Sequence, residues 1–120
     1  MKIADSVEIP QILYNVPSRT ACDLRPETVS RLSYHPNIVG IKEAVDDALR
    51  LDELMSIRDR VNDQKYFAVL SGDDPTFSEF MSTGGDGVAN SCLRSSGGLR
   101  WHLCSVLLCA NRGLSGCLCC

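Results

Sequence analysis

A chain of 120 residues with 44% apolar and 22% charged side chains has the balance of an ordinary globular protein and room for one domain. Its formal charge of -3 and pI near 5.2 give it no basic face for a nucleic acid or an anionic membrane, and no apolar run approaches the roughly 18 residues that span a bilayer. No secretory core follows Met1-Lys2, so the expected location is cytoplasmic.

The first strand-like run is Gln11 to Val16, compact and mostly apolar. Pro26 suits a first helical turn, Glu27 suits the positive end of the helix dipole, and Val29 with Leu32 gives an inward stripe. Ile38 to Lys42 is the second strand. Asp46 or Asp47 can then cap a helix whose Leu51, Leu54, Met55 and Val61 recur at helical spacing among charged neighbours. Tyr66 to Ser71 is the third strand. Asp74-Pro75 reads as the cap of a helix with Phe77, Phe80 and Met81 buried, stopped by Gly84-Gly85. This βαβαβα alternation fits a parallel sheet, and the 28 residues from Tyr14 to Lys42 and 29 from Lys42 to Ser71 approach the unit of a (β/α)8 barrel. A doubly wound sheet would alternate in the same way.

The composition breaks near residue 90. All fifteen acidic residues precede it, whereas Asn90 to Cys120 holds no Asp, Glu or Lys and six of the seven cysteines. Residues 1–89 therefore read as the folded unit and 90–120 as an atypical Cys-rich tail. Its loss of acids and excess of Cys, Ser, Leu and Arg fit translation in a wrong reading frame better than zinc binding or disulfides, since Cys104, Cys109 and Cys117 form no regular ligand pairs and His102 stands alone.

Lys42 stands at the end of an apolar strand. Withdrawing an amine from water favours its neutral, nucleophilic form, as Schiff-base chemistry requires; the alternative is an ion pair with Glu43. Tyr14 holds the equivalent place in the preceding strand and can donate or accept a proton, or simply pack as a core aromatic. Arg19, in the loop beyond, offers a fork suited to a carboxylate, or is a solvated cation. His35, beside Pro36, reads as solvated, Cys22 as a small buried thiol, and Gly84 to Gly87 as a βα turn rather than a phosphate loop.

Tyr14-Asn15-Val16-Pro17-Ser18-Arg19-Thr20, Gly40-Ile41-Lys42-Glu43-Ala44, and Leu70 to Asp74 followed by Gly84 to Val88 together resemble the dihydrodipicolinate synthase family of pyruvate-dependent class I aldolase-like lyases, over about residues 3–88. The resemblance implies a TIM barrel in which these segments are about strands five to seven with their helices. It implies a Schiff base between Lys42 and pyruvate, proton relay by Tyr14, Arg19 on the carboxylate of L-aspartate 4-semialdehyde, and Ala89 at a backbone position that binds pyruvate. It implies a homo-oligomer and neither metal nor organic cofactor. The family's threonine pair and its subunit-bridging tyrosine belong to strands one to four, which nothing here resembles, so the chain by itself is expected to be nearly inactive. Related sugar-acid aldolases such as N-acetylneuraminate lyase share the Tyr-x-x-Pro and Gly-Ile-Lys elements, and a non-catalytic interaction fragment is the reading from another class.

Overall fold

The computed structural model describes residues 2–73, 75–89 and 106–108. In chain order these form α1 (Lys2–Ser6), β1 (Gln11–Asn15), α2 (Pro17–Thr20), α3 (Pro26–Ser33), β2 (Ile38–Glu43), α4 (Ala48–Asn62), β3 (Ala68–Ser71), α5 (Phe77–Ser82), β4 (Gly87–Ala89) and β5 (Val106–Leu108). Strands β1 to β4 lie side by side in sequence order and run parallel, and β5 pairs antiparallel with β4. The cysteines of the expected tail lie outside the described residues.

Side-chain alternation divides the sheet into two faces. Leu13, Ile41 and Val69 face the helices and join Val29 of α3, Leu54 and Ile57 of α4 and Phe80 of α5 in the main core. Ala68, Leu70 and Ala89 form a second cluster on the opposite face, to which no helix among the described residues contributes. A doubly wound sheet reverses its strand order and carries helices on both faces. Among the described residues the order is sequential and the helices lie on one face, which is single winding, the alternative that the periodicity leaves open against a doubly wound sheet.

Local chemistry explains the elements. The Asp47 carboxylate caps α4 by accepting from the Leu49 and Arg50 N–H groups. Helix α5 begins later than Asp74-Pro75 suggests: Thr76 is its N-cap residue, and the Asp73 carboxylate accepts from the Thr76 N–H and hydroxyl. At its end Gly84 takes a φ of 98°, the left-handed conformation that favours glycine. The turn that follows is held by Asp86, whose carboxylate accepts from the Val69 N–H at 2.8 Å and from Arg58 at 3.3 Å. These glycines thus serve the αβ connection from α5 to β4, not the βα turn expected from the sequence.

His35 and Cys22 differ from expectation. The Asn37 N–H donates to His35 Nδ1, so Nε2 carries the proton and donates to Asp5 at 2.9 Å; the ring is tied to α1, with little of it exposed. Lys65 caps the carbonyls of His35 and Ile38 in the same region, and burial lowers its pKa. Cys22 is a free, exposed thiol in the loop after α2, because that short segment crosses no apolar layer.

Leu54 is fully buried whereas Leu49, on the same helix, is 76% exposed. Leu54→Ala is expected to cost about 3 kcal/mol in urea unfolding and Leu49→Ala less than about 0.5 kcal/mol, a contrast that tests which face of α4 packs on the sheet.

Candidate functional site

Tyr14 pairs in register with Lys42, and Lys42 with Leu70, so the three side chains form a row on the face away from the helices. The Lys42 Nζ lies over the Tyr14 ring, 4.4 Å from its centroid, a cation–π distance. Tyr14 is half exposed, and neighbouring Ile12 likewise, so the amine and the phenol both stand where a small molecule can reach them. Gly72 completes this corner: a Cβ there would sit 3.0 Å from Lys42 Cε and 3.1 Å from Glu43 O. Glycine at that position makes room for the lysine stem, a steric requirement that the residue pattern alone does not reveal.

Lys42 and Glu43 do not pair. Alternation sends the Glu43 side chain to the helix face, where it is 3% exposed. Its Oε1 accepts from Asn15 Nδ2 at 2.9 Å and from the Ala44 and Val45 N–H groups at 3.0 Å each, and its Oε2 accepts from Arg50 Nε at 2.8 Å. Arg50 also holds Asp23 at 3.0 Å and the Leu24 carbonyl. Burial works against the Arg50 charge, but Glu43 and Asp23 more than offset it and its pKa is raised. No ion pair involves Lys42 among the described residues.

Arg19 lies not in an open loop but on α2, a single turn started by Pro17 and closed by Ala21 in the left-handed conformation, φ 53°. Its N–H donates to Val16 O at 2.9 Å, and its side chain is exposed with no acidic partner among the described residues. Ala89 is buried at the end of β4, on the same face as the Tyr14, Lys42 and Leu70 row, and packs with Ala68 and Leu70. Tyr14 and Lys42 are therefore brought into contact, Ala89 shares their face, and Arg19 follows directly from the strand that carries Tyr14. Asn15, Arg50 and Gly72 are surrounding residues that sequence reasoning gives no role, and Glu43 is one it reads only as a partner for Lys42; its adjacency was the available signal, and its face was the missing fact.

A cavity of about 30 Å³, room for about one water, lies on the helix side between α4 and α5, lined by Glu43, Asp46, Leu51, Ser71, Thr76 and Phe80. It is separated from Lys42 by the sheet. Among the described residues no cluster of three or more His, Cys, Asp or Glu could hold a metal ion, and no helix is long and apolar enough to cross a membrane.

Residues 1–108 match the model of the dihydrodipicolinate synthetase family, a match that runs on past Val88. A 4-hydroxy-tetrahydrodipicolinate synthase of Stutzerimonas stutzeri strain A1501 is 58% identical over 85 residues, 71% of this chain and 27% of that protein. Another, from Buchnera aphidicola subsp. Acyrthosiphon pisum, is 45% identical over 106 residues, 88% of this chain and 34% of the relative. Among solved structures, the chloride-inhibited dihydrodipicolinate synthase of Acinetobacter baumannii complexed with pyruvate is similar with a TM-score of 0.62 and 48% identity, covering 72% of this chain and 28% of that one. The chain spans about a third or less of the length of the relatives it matches.

The hydrogen bond from Asn15, and then Arg50, hold the Asp23 carboxyl below its ordinary pKa, against the opposing effect of desolvation. A depressed carboxylate contributes stability above its unfolded pKa and loses it as pH falls through the lower folded one. The stability difference between the native chain and Asp23→Asn should therefore be constant from about pH 8 to 5 and shrink below about pH 4, as read by urea unfolding. A difference that grows on acidification would contradict the cluster.

Proposed function

This chain belongs to the dihydrodipicolinate synthetase family, a family of lyases, and from that premise we propose that Lys42 forms a Schiff base with pyruvate, for condensation with L-aspartate 4-semialdehyde in lysine and diaminopimelate synthesis. The observation that carries the reading is the Lys42 amine lying against Tyr14 on the open face of the sheet, 4.4 Å from the ring centroid. The neutral amine attacks the pyruvate ketone and the carbinolamine loses water to give the imine. Loss of a methyl proton then yields an enamine, whose carbon bonds to the aldehyde carbon. The amine of the second substrate displaces Lys42 as the ring closes. Tyr14 moves protons in these steps, and Arg19 holds the carboxylate of the second substrate. Ala89 contributes backbone contact to pyruvate. No metal or organic cofactor enters the scheme.

We assign residues 1–89 to one wall of a (β/α)8 barrel, about strands five to seven with their helices and the entry to strand eight. Single winding and the family match to solved structures support that placement. Residues 90–120 keep the reading of an atypical Cys-rich tail, supported by their lack of Asp, Glu and Lys, with the family match extending into it as far as residue 108. Full turnover belongs to a molecule that supplies the remaining wall, in a homo-oligomer and in the cytoplasm; the 120 residues by themselves are proposed to be nearly inactive, with Tyr14 half exposed. A sugar-acid aldolase would share the Lys42 imine and differ in the aldehyde it accepts.

Pyruvate with borohydride should leave a reduced adduct on the peptide containing Lys42, absent in Lys42→Arg, and Tyr14→Phe should slow its formation about a hundredfold. Labelling confined to Lys2 or Lys65 would sink the proposal.

A further inference from the structure

We propose that Glu43 and Arg50, which lie on the face of the sheet opposite Lys42, are positioning residues that fix the Arg19 turn relative to the Lys42 amine. The inference rests on the Schiff-base reading for its purpose, although its geometry stands independently. The problem it answers is how α2 keeps its place. None of its residues is buried, so the core does not hold it. Its internal hydrogen bonds, from the Arg19 and Thr20 N–H groups to Val16 O and from Ala21 N–H to Pro17 O, shape the turn without anchoring it.

The anchors are at its two roots. Asn15, at the end of β1, accepts from the Leu24 N–H at 2.9 Å and donates to Asp23 at 3.1 Å and to Glu43 at 2.9 Å, closing the excursion from Val16 to Asp23 at its base. Arg50 grips the far root through Asp23 and the Leu24 carbonyl, and is itself held by Glu43. Glu43, like Asp23 of the far root itself, is thus bonded both to the near root and to the arginine that fixes the far root. It is also the residue next to Lys42 on a paired strand, whose backbone is locked on both sides: Ala44 N–H donates to Asn15 O at 3.0 Å and Gly72 N–H to Glu43 O at 2.7 Å. A rigid path of two hydrogen bonds and one residue of strand therefore joins the amine to the base of the Arg19 turn. Addition of the Lys42-bound enamine to an aldehyde held by its distant carboxylate needs that separation fixed, because small misplacements of reacting groups cost large factors in rate.

The test uses the full 120-residue chain, with Glu43→Gln and, as a milder change in case that variant fails to fold, Arg50→Lys. Both should speed hydrogen exchange of the Arg19, Thr20 and Ala21 amides about tenfold while leaving the core amides of Ile41, Leu54 and Val69 within about twofold. The Arg19 Nε–Hε resonance should shift on addition of 4-oxobutanoate in the native chain and shift less in the variants, whereas the borohydride-trapped pyruvate adduct on Lys42 persists. Uniform acceleration across turn and core would reduce Glu43 to a general structural role, and unchanged exchange at the turn would overturn the proposal. Failure of the native chain to trap pyruvate would count against the Schiff-base reading alone, because the exchange contrast reports the positioning regardless.

Discussion

A β-strand turns successive side chains to opposite faces, and at the end of β2 that constraint separates Lys42 from Glu43. The amine goes to the open face, against Tyr14. The carboxylate goes to the helix face, where water is scarce and an unpaired charge would be costly. Glu43 is accordingly surrounded by donors, from Asn15, Arg50 and two backbone N–H groups. Breaking one partner of such a buried pair characteristically costs about 3–5 kcal/mol, because the other charge is left uncompensated. One dipeptide thus places an amine on one side of the sheet and a fully hydrogen-bonded carboxylate on the other.

The sheet makes this possible. In a parallel ladder the residue paired across from Lys42 points to the same face, and single winding with even spacing makes that residue Tyr14 on one side and Leu70 on the other. Among the described residues the helices pack only on the far face, which leaves the row accessible. Gly72 keeps the corner open for the lysine stem. The chain that carries this row matches the family model over residues 1–108 and is similar in fold to solved dihydrodipicolinate synthases.

Strands and longer helices were legible because burial imposes a period on them. Val29 and Leu54 sit at helical spacing and are fully buried, and Asp47 caps as its position suggests. Winding was not legible, since a period carries no information on which face a helix covers; the one-sided core supplied it. Short elements without a buried stripe escaped as well. Helix α2 buries nothing and exists through Pro17 and the left-handed Ala21, and α5 starts at Phe77 because Asp73 reaches forward to Thr76.

At the site, Tyr14 and Lys42 were legible from their separation, which register converts into contact. Glu43 was visible as a neighbour and misleading as a partner, because adjacency in a strand means opposite faces. Arg50 and Asn15 gave no signal: their roles arise from bonds that bring residues 15, 23, 24, 43 and 50 together through the fold. The central claim is that the amine of Lys42, among three lysines in the chain, is the one that condenses with a ketone. Carbon NMR of 2-¹³C-pyruvate added to chain labelled with ¹⁵N at lysine tests it most directly. The account expects an imine carbon coupled to the Lys42 nitrogen and lost in Lys42→Arg. Pyruvate remaining as ketone and hydrate, or coupling to Lys2 or Lys65, would contradict it.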